Sequence, residues 1–398
     1  MKVLMLTWEY PPRIVGGLAR HVFWLTRSLV RAGAEVDVFT ISDRDEFVEM
    51  NGVRVHKVGA YRIPSPDFIS WVQQFNMLMA RSALLSGNRY DIIHAHDWLV
   101  AHAAIALKHV MRRPLVVTIH STEHGRRHGL HDDFQRHIHE WEWLLTYEGW
   151  RVIVCSGYMK WEVSNVLGVP HDKIEVIPNG VNPIRVMSEH EVMRARARYA
   201  LPWERIVLFV GRMVHEKGPH VLLEAARIVL SRRWDLKFIF VGEGPMREHL
   251  MRRAHEMGIG AKVYFTGFVH DNELEVLYNI ADIAVFPSLY EPFGIVSLEA
   301  MSMAKPVVVG AQGVVGFREQ VVPSGPDQNG IHINGGDSYD IAWGIKEVLR
   351  DEDRAKVWGE NGRKRVLKYF TWKKAAEETI KIYEDVLNNK KKKSSPTW

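Results

Sequence analysis

The 398-residue chain carries a single cysteine, Cys155, which excludes an internal disulfide and makes a reducing compartment the expectation. It has no apolar run approaching the roughly 18 residues needed to cross a bilayer. Nor does its start read as a signal peptide. Met1-Lys2-Val3-Leu4-Met5-Leu6-Thr7-Trp8 has the pattern of a buried strand and meets an acid already at Glu9, so a cytoplasmic protein is expected. A strong charge of one sign is missing as well: 52 Lys and Arg against 47 Asp and Glu leave +5. That small basic excess is compatible with anionic ligands, while the dispersal of the cations among acids argues against nucleic acid. The exception is Lys390 to Lys393 beside Ser-Ser-Pro. It reads as a solvated, flexible basic tail, and contact with an anionic membrane is the less favoured alternative. No short-period repeat is evident.

What is present is the balance of a water-soluble globular protein, 46% hydrophobic and 25% charged, at a length that suits two domains. Strand, turn and helix alternate. Val3 to Thr7, Glu35 to Ile41, Asp91 to Ala95, Leu115 to Ile119 and Val152 to Cys155 read as buried parallel strands. Between them, Leu18, Val22, Leu25 and Leu29 recur at helical spacing before Gly33, and Trp98 to Met111 is a second helix. The pattern restarts with Ile206 to Val210, Lys237 to Val241, Val263 to Phe265, Ile283 to Phe286 and Pro306 to Val309. Two such sets imply an α/β fold of two doubly wound parallel-sheet domains, with ligands expected in a cleft between them. The turn-rich Pro178 to Pro183 is the natural linker. The expected division is 1–183, 184–371, a final helix over 372–388 and a tail over 389–398.

The most informative stretch is Glu291-Pro292-Phe293-Gly294-Ile295-Val296-Ser297-Leu298-Glu299, which follows a strand and opens a helix. Unpaired N–H groups at a helix start, with Gly permitting close approach, make an anion site, so Gly294, Ile295 and Val296 can present amides to a diphosphate. Glu299 can accept from ribose hydroxyls, and Glu291 can reach a transferred sugar. The plainer alternative is that Pro292 starts a helix whose positive end the two acids favour. A second element tips the balance. The strand ending in Gly211-Arg212, followed by Lys217-Gly218, places two cations where a departing diphosphate gains charge, without a metal. In the first half, Gly16-Gly17 precedes a helix and allows backbone to approach a ligand, though the spacing is not that of a dinucleotide fingerprint. His94-Ala95-His96-Asp97-Trp98 and His120-Ser121-Thr122-Glu123-His124-Gly125-Arg126 end adjacent strands. His94 and His96 can share a metal, yet no Cys or carboxylate pair completes the set, and no metal or other cofactor is expected. Asp43-Arg44-Asp45 and Asp351-Glu352-Asp353 lie in polar, loop-like sequence and are set aside.

With these residues in view, the chain resembles the retaining glycosyltransferases of families four and five, whose two facing Rossmann-like domains make the GT-B fold with an interdomain cleft. The resemblance runs from Trp8-Glu9-Tyr10-Pro11-Pro12 and Gly16-Gly17 to the last helices, and its most specific part is the pair Glu291 and Glu299. It implies a metal-independent, retaining transfer of a hexose, with glucose first in expectation, from an ADP- or UDP-sugar. Arg212 and Lys217 match the family's phosphate-binding pair, and His120 the histidine near the transferred sugar. With Glu291, these form the expected catalytic group. The donor site would comprise Gly16, Gly17, Arg212, Lys217, Phe268, Val269, Glu291, Phe293, Gly294, Ile295, Val296 and Glu299, with Phe268 and Val269 beside the base. The last helix would cross back to the first domain.

Within the group the start and His-Ala-His-Asp-Trp are similar to glycogen and starch synthases, which makes an α-1,4-glucan the expected acceptor. His96, Asp97, Trp98, Glu123 and Arg126 are the acceptor candidates, with Trp98 the best sugar-stacking ring. Arg13 stands where those enzymes carry Lys, and Ser121 to Arg126 departs from their pattern. A lipid, small-molecule or polysaccharide-precursor acceptor is the alternative. An inactive sugar-nucleotide or glucan-binding protein is disfavoured by the presence of Glu291, Arg212, Lys217 and His120.

Overall fold

A computed structural model describes residues 1–182, 185–313 and 315–394. Contacts divide them into two compact units, Met1–Asn179 with the chain from Trp372, and Gly180–Thr371. The division expected at 183/184 falls on Pro183 and Ile184, outside the described residues, as do Ser395 to Trp398 of the expected tail.

The first unit contains β1 (Lys2–Leu6), β2 (Glu35–Ser42), β3 (Glu46–Met50), β4 (Val53–Gly59), β5 (Ile92–His96), β6 (Leu115–Ile119), β7 (Arg151–Val154) and β8 (Ile174–Val176). They form one sheet in the order β3-β4-β2-β1-β5-β6-β7-β8, parallel except for the β3–β4 pair. Helices cover both faces, which is why the central strands are continuous apolar runs rather than alternating ones. The helix Gly17–Arg31 buries Leu18, Val22, Leu25 and Leu29. The β3–β4 hairpin turns at Asn51 and Gly52, both with positive φ, the combination a tight primed turn requires.

The second unit contains β9 (Arg205–Val210), β10 (Leu236–Val241), β11 (Val263–Gly267), β12 (Ile283–Phe286), β13 (Val307–Gly310) and β14 (Gly330–Ile333). Its sheet is wholly parallel in the order β11-β10-β9-β12-β13-β14. The core packs Phe209, Phe238, Phe240 and Val285 against Leu222, Ala226 and Ile345 from the covering helices.

The helix Trp372–Ser394 belongs to the first unit. Its Tyr383 hydroxyl lies 2.6 Å from Nδ1 of His94 in β5, a fully buried tie between helix and sheet. Residues 389–394, read from sequence as a flexible tail, continue this helix, because a run of lysines is a fair helix former once a packed stem precedes it. The Lys390 ammonium donates to the Arg112 carbonyl at 2.6 Å, and the side chains beyond it lie outside the described residues. Among the described residues no helix is long and apolar enough to cross a membrane.

Candidate active site

Each sheet reverses its winding beside its first strand, and ligands of open α/β sheets bind outside the carboxyl ends of strands at such a point. In the second unit the reversal falls between β9 and β12. Beyond β9 the chain turns at Gly211 and Arg212, makes one tight turn over His215–Lys217, and enters a helix at Pro219. Gly218 has φ +69, and a Cβ there would lie 2.2 Å from the Pro287 carbonyl oxygen, so only glycine lets this loop rest on the residues after β12. The Leu289 N–H donates to the Glu216 carbonyl at 2.8 Å, fixing the two loops together. As a result the Lys217 ammonium lies 2.6 Å from Oε2 of Glu291, whose residue is 8% exposed. Ser288 Oγ approaches the same oxygen at 3.4 Å. Arg212 is more open and pairs with Glu216 at 3.1 Å.

Glu291 leads into the helix Ile295–Ser302. Gly294 turns the chain with φ +86, and a Cβ there would meet Phe317 Cε1 at 1.9 Å. The first-turn amides of Ile295 and Val296 have no acceptor within the helix by position, and they sit at its positive end. Phe293 is buried against Phe370, ring centroids 6.2 Å apart, so its side chain anchors the turn. Glu299 accepts the Tyr278 hydroxyl through Oε2 at 2.7 Å, which orients the carboxylate. Beyond β11, Phe268 is exposed and its N–H donates to Glu243 Oε1 at 3.2 Å, with Val269 following at half-exposure.

Sequence reasoning missed Glu216, Glu243, Tyr278 and Ser288. A signal for Glu243 was legible: Gly242 and Gly244 flank it after a strand, both with positive φ, and a Cβ on Gly242 would lie 2.1 Å from the Gly211 carbonyl oxygen. The Tyr278 contact had none, since it joins two helices that only the fold brings together.

In the first unit the reversal falls between β1 and β5. The loop after β1 is held by Glu9, whose Oε2 accepts N–H groups of Val15 at 2.6 Å and Gly16 at 3.2 Å. Burial pushes the Glu9 carboxyl up. Neither Gly16 nor Gly17 has a positive φ or any atom within 4 Å of an added Cβ, so the fold itself does not demand glycine there. Arg13 stacks on Tyr61, 3.5 Å from the ring centroid.

Asp97, after β5, has φ 60 and ψ 170, a backbone region that side chains strongly disfavour. It is held there by its own N–H on the Thr118 carbonyl at 2.9 Å and by its Oδ1 accepting the His120 N–H at 2.7 Å. Burial raises its carboxyl to about 6 against the lowering effect of those amides. The same burial drives the His120 imidazole down to about 3, so it is neutral at physiological pH. Its Nε2 lies 3.1 Å from Nδ1 of His96, which is fully buried and touches the Met5 sulfur with its other nitrogen. Glu123 pairs with Arg126 at 2.7 Å, and Arg126 approaches Glu142 at 3.7 Å. Trp98 is 5% exposed, its ring against Trp141 at 5.6 Å. Of the five residues read from sequence as acceptor contacts, His96, Asp97, Trp98 and Glu123 are buried and Arg126 is half-buried, and Asp97 holds the His120 N–H.

The histidines also group differently from the sequence reading. His94 is taken up by Tyr383 and Thr118, whereas His21, His96 and His120 bring ring nitrogens within 4.8 Å of one another, a set that could hold a metal ion. His21 Nδ1 contacts Asn179 Oδ1 at 2.7 Å, and its buried Nε2 has no partner.

Comparison with known proteins identifies the family. Residues 15–185 match the model of Glycosyltransferase Family 4, and residues 195–365 that of Glycosyl transferases group 1. An uncharacterized glycosyltransferase of Methanocaldococcus jannaschii is 40% identical over 96% of this chain and 98% of its own. A glycogen synthase of Mycobacterium tuberculosis H37Rv is 34% identical over 96% and 94%. Among solved structures, a sucrose-phosphate synthase of Thermosynechococcus elongatus superposes with a TM-score of 0.83 at 25% identity, covering 98% of this chain and 99% of the other. The chain is therefore a glycosyltransferase of the family 4/5 type, built on the GT-B fold.

Proposed function

We propose that the enzyme transfers a hexose, glucose in the first instance, from ADP- or UDP-hexose to an α-1,4-glucan, with retained anomeric configuration and without a metal. The observation that carries this reading is the Lys217–Glu291 pair at the head of the helix Ile295–Ser302. Bond cleavage at the anomeric carbon builds charge on the diphosphate. Arg212, Lys217 and the amides of Ile295 and Val296 supply fixed positive charge for it, the form of stabilisation that costs no reorganisation. On this reading Gly294 lets the phosphates approach, Glu291 holds hexose hydroxyls, Glu299 takes the ribose, and the Phe268–Val269 backbone lies beside the base. Neutral His120 hydrogen-bonds the hexose, and the Gly16–Gly17 backbone approaches the donor. The unit Gly180–Thr371 is the donor side and the other the acceptor side. Buried Cys155 suits a cytoplasmic setting.

The 34% identity with a glycogen synthase supports a glucan acceptor, while the likeness to a sucrose-phosphate synthase favours a small sugar as the second reading. The test follows diphosphate release from UDP-glucose and ADP-glucose with glycogen or with monosaccharide phosphates as acceptor, and reads the product's anomeric proton coupling. Glycogen-dependent release with an α-linked product is expected. Release stimulated only by the small sugars would replace the glucan assignment, and a β-linked product would end the retaining one.

A further inference from the structure

We propose that the exposed rings of Phe68 and Phe134 form a stacking platform for the glycan chain of the acceptor; the proposal rests on the glucan reading above. Both residues open helices at the carboxyl edge of the first unit's sheet. The helix Phe68–Leu85 follows β4, and the helix Asp133–Glu148 follows β6 and the His120 segment. Phe68 is 45% and Phe134 46% exposed, with centroids 6.0 Å apart and planes tilted by 59°, so the two rings form an angled rather than a flat platform. Phe68 stacks on Trp71 at 5.6 Å with the planes inclined by 28°, and meets Trp98 edge-on at 6.2 Å. Trp98 itself is covered, so the stacking face that sequence placed on it passes outward to Phe68. The platform also adjoins the reaction chemistry, because Trp98 follows Asp97, whose carboxylate holds the His120 N–H.

The flanking charges identify the occupant. Each ring follows an exposed N-capping aspartate: Asp67 accepts the Ser70 N–H at 2.8 Å, and Asp132 the Gln135 N–H at 2.7 Å. Both keep lone pairs for hydroxyl donors. Of the cations on this edge, Arg62 pairs with Asp43 at 3.0 Å, Arg136 with Asp133 at 2.8 Å and Arg127 with Glu123 at 3.4 Å, and Arg13 lies on the Tyr61 ring. A neutral polyhydroxylated chain fits such a surface, laying its C–H faces on the rings and its hydroxyls on the carboxylates. An anionic bilayer is repelled by the same carboxylates.

The experiment measures maltoheptaose binding by calorimetry, and transfer kinetics with maltoheptaose as acceptor, for the parent, Phe68→Ala, Phe134→Ala and Phe68→Tyr, each checked for a parental melting temperature. Each alanine should weaken maltoheptaose binding about tenfold and raise its KM in step with little change in kcat, while Phe68→Tyr keeps parental affinity. Parental affinity in both alanine variants of an enzyme that transfers to glucan overturns the platform and leaves the glucan reading standing. A parent that releases diphosphate yet neither binds nor extends maltoheptaose overturns both. Phe68-dependent sedimentation with phosphatidylglycerol vesicles overturns the proposal in favour of a lipid surface.

Discussion

Replacing Lys217 by alanine separates two contributions of one ammonium group. In the resting enzyme it is bound to Glu291 at 2.6 Å, with side-chain exposures of 20% for the lysine and 10% for the glutamate. At an effective dielectric near 20 the gross attraction is about 6 kcal/mol, and desolvation of both ions offsets most of it. A net stability loss of about 1–2 kcal/mol is expected, since Ser288 and water still reach the carboxylate. On the proposed function the same cation opposes diphosphate charge in the transition state, and losing such a fixed donor should cost about 10²–10³ in rate, or roughly 3–4 kcal/mol. Urea titration reads the first quantity and initial rates of diphosphate release read the second. Lys217→Ala combined with Glu291→Gln should recover part of the stability and none of the activity. Parental kcat/KM with unchanged donor affinity in Lys217→Ala would refute the reasoning.

Gly294→Ala should destabilise the second unit by about 2–5 kcal/mol, the sum of a left-handed backbone penalty and overpacking against the buried Phe317 ring; parental urea stability would show that the turn is not held by that contact. Burial lowers the pKa of His21, His94, His96 and His120 below the usual 6.5, so the folded state binds fewer protons than the unfolded chain below that value. Their contribution is complete above pH 6.5 and is lost on acidification, by up to about 1.4 kcal/mol per pH unit for each group and offset in part by the raised carboxyls of Asp97 and Glu142; a His94→Gln variant whose melting temperature follows the parent's pH dependence from 6.5 to 4.5 contradicts it. Glu142 has the opposite sign. Raised to about 8 from the usual 4.5, it contributes stability that is complete below pH 4.5 and is lost as pH rises from there to about 8, and Glu142→Gln should remove this dependence. EDTA should leave the rate unchanged; a loss restored by zinc would assign a metal to His21, His96 and His120.

The parallel strands were legible because burial on both faces writes them as unbroken apolar runs, as in Val3-Leu4-Met5-Leu6 and Ile206 to Val210. The outer strands β3, β4, β8 and β14 were not, since Glu46–Met50 is mostly exposed, Val53–Gly59 buries only Val53, Val55 and Val58, and the other two are short. Helix Glu352–Tyr369 was hidden by its polarity: it buries only Trp358, Gly359, Gly362 and Val366. At the site, local motifs located Glu291, Gly294 and Lys217, because the chemistry of a helix start is written in consecutive residues. Which side chains face outward was not written there. Trp98 reads like a sugar platform, and only the packing of Trp141 and Phe68 shows that it is covered.

The most direct test is a crystal of the enzyme soaked with ADP or UDP. The account predicts the distal phosphate within hydrogen-bonding distance of the Ile295 and Val296 amides, with Arg212 and Lys217 on its oxygens and Lys217 drawn off Glu291. A nucleotide bound at another place, with Lys217 still on Glu291, would contradict it.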